Sequence, residues 1–256
     1  MSTEYVLIER SLAGIWRAAG HLYRTHFWTI LLAYAVPILP FQILSDLAAR
    51  NGYKGWEALL NITLVFLGMF VAGALTIIVG DICLGRQSNV LSVYKRMCGA
   101  LLPRLLKTNV MTGLAIAFGI LLLILPGLLF TFWYLLAPSV VVLEGRSGFG
   151  ALKRSKSLVQ GDFRRVALTL GILVCIFISG VFIPLLLIGM IAGLLESNGL
   201  LELTEYQLQT LGAYSGSALY VILFPISILV TVLLYYDLRV RREGYNNQNL
   251  ATDLMH

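Results

Sequence analysis

Few side chains in this sequence have the type and position to do chemistry in an apolar setting. Asp81 lies in Gly80-Asp81-Ile82-Cys83 at the end of one long apolar run, and Glu144 closes another in Leu143-Glu144-Gly145. An ionisable residue at such a place marks a candidate intramembrane polar site for a proton, an ion or a ligand. Each also admits a structural role. Asp81 could pair with Arg86, with a basic elbow residue or with Arg239, and Glu144 with Lys153 or Arg154. His21, His26 and His256 lie outside the apolar runs and share no metal-ligand spacing. Cys83, Cys98 and Cys175 are odd in number and form no CxxC, which argues against a disulfide framework or a zinc site. No GxSxG, P-loop, GxGxxG or pair of intramembrane carboxylates occurs. The remaining polar groups assemble no nucleophile, base and orienting group. The sequence points away from an enzyme: no catalytic residue, metal or cofactor is expected.

The elements around these residues read as membrane helices. The chain is 58% hydrophobic and 12% charged, whereas a soluble domain is roughly 45–50% apolar and about 25% charged. The surplus is gathered into runs near the length of about 20 residues that crosses a bilayer. The net charge of +6 does not indicate nucleic acid, because the basic residues flank apolar runs instead of forming a separate soluble face. The expected fold is all-α: a polytopic integral membrane helical bundle using residues 1–256 as one membrane domain.

Taken in order, residues 5–25 read as an amphipathic helix in the headgroup plane, with Trp16, Tyr23 and Trp28 as interfacial anchors. Spans are expected over about 27–44, 58–82, 108–125, 128–143, 166–195 and 211–236. Residues 45–57 read as a polar loop, Pro126-Gly127 as a tight turn, residues 196–210 as an acidic loop and 237–256 as a polar cytoplasmic tail. The pair 108–143 is short and admits a re-entrant hairpin. Pro37, Pro40, Pro138, Pro184 and Pro225 read as kinks within spans. Gly68, Ala72, Thr76 and Gly80 recur every four residues, and Gly189-x-x-x-Gly193 and Gly212-x-x-x-Gly216 have the same spacing. Small faces of this kind pack spans within one chain, in a homo-oligomer or against a protein partner.

Charge sets the orientation. With both termini inside, seventeen of the nineteen Lys and Arg fall on inner segments, leaving Arg50 and Lys54 outside. The basic residues gather on three elbows that align without gaps: Ile15–Leu39, Tyr94–Phe118 and Leu152–Ile176. Each reads as a basic amphipathic helix, a polar elbow and a span, with Arg17, Arg96 and Arg154 coinciding. Arg17, Arg96, Lys153, Arg154, Arg164 and Arg165 are the candidate lipid-headgroup residues of a cationic collar, and anionic inner-leaflet phospholipids are the expected partner.

LPGLL at 125–129, APSVVVLEG at 137–145, ALKRSKSLVQGDFRRV at 151–166 and LLYYDLRVRREGY at 233–245 resemble a bacterial membrane-protein family. That family is similar to the membrane domain attached to glycerophosphoryl diester phosphodiesterases. The resemblance implies a multi-pass protein of the bacterial inner membrane. It does not imply hydrolysis, because the catalytic domain, with its paired His and carboxylate metal ligands, has no counterpart here. The expected role is a non-enzymatic, lipid-interacting or scaffold protein. The alternative is a small transporter or lipid translocator using kinked helices and Asp81.

Overall fold

An apolar run with no water beside it must close its backbone hydrogen bonds internally, and a helix does so within one segment. The computed structural model describes residues 7–86, 88–198 and 204–254, and these form helices with no strand. Among them, six helical segments are long and apolar enough to cross a membrane: 27–50, 54–83, 90–122, 124–144, 163–197 and 210–243.

The first helix, α1 (Leu12–Thr25), begins at Ser11, whose hydroxyl accepts from the Gly14 amide at 3.1 Å. Residues 7–11 precede the helix instead of belonging to it, and residues 5 and 6 lie outside the described residues. The chain bends at His26 but barely breaks: the His26 amide reaches the Leu22 carbonyl, and the Ile30 amide reaches that of His26, both at 3.0 Å. Helix α2 (Phe27–Arg50) then runs past the expected loop. Its polar end is held by Gln42 donating to Asp46 at 3.2 Å and by Ser45 bonding Asn61 at 3.1 Å. The loop expected over 45–57 therefore shrinks to residues 51–53, where Gly52 takes a positive φ of 73° before α3 (Lys54–Cys83).

After α4 (Val90–Arg96), a π-helical stretch at Met97–Leu101 is bent at Gly99 and leads into α5 (Leu102–Leu122). The chain reverses at Leu123, and α6 (Ile124–Tyr134) follows at once. The turn expected at Pro126-Gly127 thus lies earlier. Pro126 sits in the first turn of α6, where its missing N–H has no partner to lose. Gly127 serves close packing instead: an added Cβ would stand 2.8 Å from the Ile120 backbone nitrogen. The tip, Ile120 to Leu125, is wholly apolar and exposed, Leu121 by 83%.

Helix α7 (Ala137–Glu144) ends on Gly145, and the loop to α8 (Phe149–Gln160) is fixed by the Gly148 amide donating to Thr108 at 2.8 Å. Helices α9 (Phe163–Phe177) and α10 (Ile183–Ser197) are joined by a second π-helical turn. Thr204 and Gln207 form a capping box for α11 (Glu205–Glu243), which is far longer than the expected span. The acidic loop is correspondingly shorter, with residues 199–203 outside the described ones.

The long α11 is the post on which the rest hangs. Helix α1 runs antiparallel along its C-terminal half: Asp237 accepts from the Arg10 amide at 2.7 Å, and the Tyr23 hydroxyl donates to the Ile222 carbonyl at 2.6 Å. The apolar face of α1 (Ile15, Ala18, Ala19, Leu22) is buried against protein. Trp28 remains exposed. The expected polar tail is ordered too. After Gly244, α12 (Asn247–Asp253) folds back, burying Leu250 and Leu254, with Leu254 against Gly80. In the threefold alignment, the first and third copies bend near equivalent places, His26 and Gly161-Asp162. The second bends earlier, at Gly99, and runs straight through Lys107.

Candidate functional site

Helices α7, α8, α9, α11 and α12 bring their charged ends together at one end of the bundle. Glu144 is the first centre. It closes α7 with its side chain only 9% exposed, and Arg154 of α8 meets it at 2.9 Å. Arg146 pairs with the same carboxylate at 3.1 Å, and the Tyr235 hydroxyl donates to it at 3.0 Å. Arg154 then reaches Glu243 at 2.6 Å, and Arg239 links Glu243 at 3.1 Å to Asp253 at 2.7 Å. Tyr245 also donates to Asp253, and the Arg239 guanidinium lies over its ring, 3.7 Å from the centroid.

The second centre is Asp237, whose side chain is 1% exposed. It pairs with Arg165 of α9 at 2.9 Å and with Arg241 at 3.0 Å, while also accepting from the Arg10 amide. Arg241 and Arg165 both donate to the Arg10 carbonyl, and Arg241 further pairs with Glu9. The segment before α1 is thus stitched to the end of α11. A buried carboxylate between two guanidiniums is tolerable because each charge meets one of opposite sign.

Electrostatics follows the geometry. Burial works against the charge on Arg154, yet the hydrogen bonds and charges of Glu144 and Glu243 outweigh it and hold the guanidinium above its ordinary value. Burial, reinforced by the bond to Asp253, pushes the Tyr245 hydroxyl upward as well.

This geometry divides the six collar residues. Arg154 and Arg165 are internal ties, with side chains 18% and 16% exposed. Arg17, Lys153 and Arg164 are exposed, Arg96 is half-buried, and none of these four makes an ion pair among the described residues. Lys156 lies over the Trp133 ring at 3.9 Å. Of the two polar candidates, Glu144 meets Arg154 as one of its expected partners, together with Arg239 at 4.0 Å. Asp81 sits in the last turn of α3, half-buried, accepts from Ser88 at 3.2 Å, and makes no ion pair among the described residues.

Sequence reasoning missed Asp237, Glu243, Asp253 and the two tyrosines of this lattice. Its one available signal was the density of acids and arginines in Asp237–Glu243. Among the described residues, no three His, Cys, Asp or Glu side chains come together as a metal site.

The family model described as a domain of unknown function (DUF7847) matches residues 55–238. The chain belongs to this family. Comparison with curated proteins and with solved structures gave no match. The family stretch contains Glu144, Arg154, Arg165 and Asp237, while their partners Arg10, Glu243 and Asp253 lie on either side of it.

Proposed function

We propose that this chain is a non-catalytic integral protein of a bacterial inner membrane, with both termini inside, that engages anionic phospholipid headgroups through its free cations. The observation that carries this reading is the division of the basic residues. Arg154 and Arg165 are consumed by the ionic lattice, whereas their chain neighbours Lys153 and Arg164 stay exposed, as does Arg17 on α1. Each such cation beside an anionic leaflet contributes about 1 kcal/mol of attraction. The likeness to the phosphodiesterase-linked membrane domain belongs to this proposal and carries no hydrolytic activity with it.

Within this reading the α5–α6 hairpin enters from the inner side and turns back inside the hydrocarbon. From Lys107 to Leu122 the helix rises about 22 Å, while the returning segment, Ile124 to Glu144, is long enough to cross a membrane. The first rise falls short of a core about 30 Å thick. The tip has no polar residue to meet water, and its one break leaves the Leu123 amide bonded to the Gly119 carbonyl at 3.0 Å. The alternative, a translocator built on Asp81 and kinked helices, has weaker support, because Asp81 stands at the end of α3 and bonds Ser88.

The test is native mass spectrometry of the full chain extracted with its own lipids. The expected result is a retained anionic phospholipid that is lost when Lys153→Gln and Arg164→Gln are combined, with the folded protein otherwise unchanged. Unchanged retention, or a lipid-free protein from the start, overturns the reading.

A further inference from the structure

Away from the ionic lattice, a cavity of about 740 Å³ opens between α2, α3, α5 and α11. Residues from Asn61 to Ala72 of α3 line it, a distance of about 16 Å along the helix axis. Its described walls are mostly apolar and include no charged side chain. One wall is a ladder of rings: Tyr34 packs on Phe224 at 5.2 Å and Phe224 on Tyr220 at 5.0 Å.

Set into these walls are polar groups without protein partners. Asn61 bonds Ser45, but Tyr34, Asn109, Ser217 and Tyr220 make no side-chain hydrogen bond among the described residues. Tyr34 is only 3% exposed, and its phenol lies near that of Tyr220. A polar group left unbonded in an apolar setting is unfavourable, and something that bonds it would be favoured there. Gly68 lies on the same wall, and a Cβ added there would meet no atom within 4 Å.

We propose that this cavity binds a neutral lipid: a long apolar chain bearing an uncharged, hydrogen-bonding head of the diacylglycerol kind. The apolar walls and their length fit the chain. The hydroxyl and amide groups fit an uncharged head. The lack of any lining cation disfavours a phosphate head, which would be desolvated with nothing to neutralise it. A site of this composition, apolar with a few convergent polar groups, is the usual form of a small-molecule pocket. The site is separate from the cationic collar and does not depend on it.

The test uses the full chain in lipid nanodiscs with two diazirine-tailed probes, a diacylglycerol and a phosphatidylglycerol carrying the same tail. After irradiation, adducts are mapped by peptide mass spectrometry. The expected result is diacylglycerol labelling of Val65, Met69 or Val221 well above that from the anionic probe. Gly68→Phe, which fills open space, should lower it about tenfold. Asn109→Leu, which removes a polar group at nearly constant volume, should lower it severalfold with the unfolding temperature preserved, and it decides the matter if Gly68→Phe fails to fold. Equal labelling by both probes, or labelling unchanged in the folded variants, overturns the proposal. Loss of anionic-lipid retention in the Lys153→Gln, Arg164→Gln protein bears only on the collar.

Discussion

Along α11, every residue from Val232 to Leu238 is buried, so the helix there is surrounded on all sides. Along α10, a more hydrophobic helix, only Ala192 is buried. The same contrast runs through α3, whose buried residues all lie between Val71 and Cys83 and none between Lys54 and Phe70. One end of the bundle meets its own chain, with apolar side chains packed around Tyr235 and Tyr236 and charges paired above them. The other end leaves Leu121, Leu186 and Leu194 without cover. The difference teaches where the chain supplies its own packing: at the charged end, and far less at the other.

Substitutions can break that contrast. The largest effect is expected from Asp237→Ala, which strands two guanidiniums and the Arg10 amide. Breaking a buried ion pair by deleting one partner costs about 3–5 kcal/mol. Thermal unfolding in detergent should show the loss together with release of the segment before α1. Next comes Leu250→Ala in α12, which is fully buried. A cavity of that kind costs about 2–4 kcal/mol, and limited proteolysis should then clip the chain near Gly244. The smallest effect is expected from Leu121→Ala at the hairpin tip, within about 0.5 kcal/mol. If Leu121→Ala unfolds the protein as readily as Leu250→Ala, the contrast between the two ends is wrong.

Much of this organisation was legible in the sequence, and the misses have physical causes. The six apolar segments were found because length and hydropathy are local properties, readable without knowing the neighbours. Helix ends were read too short. Gln42 and Asp46 satisfy each other one turn apart, and Ser45 finds Asn61 on the next helix, so polar residues stay helical. Pro126-Gly127 carries the composition of a turn, yet Gly127 is needed for helix contact with Ile120. Arg154 and Arg165 looked like their exposed neighbours Lys153 and Arg164, because local spacing cannot reveal partners as distant in the chain as Glu243 and Asp237. Glu144 with Arg154 was legible because that pair is close in sequence.

The hairpin of α5 and α6 has one further consequence under the proposed placement. A helix that crosses the bilayer takes up equal area in both leaflets, whereas a hairpin that stops part-way takes up area in one. With its tip at Leu121 to Leu125, this chain would be broader in cross-section on the side of Lys107 and Lys156 than on the side of Arg50. Such a wedge relieves packing stress where a membrane bends away from the narrower side, so the chain would concentrate in curved regions of the membrane through its shape alone.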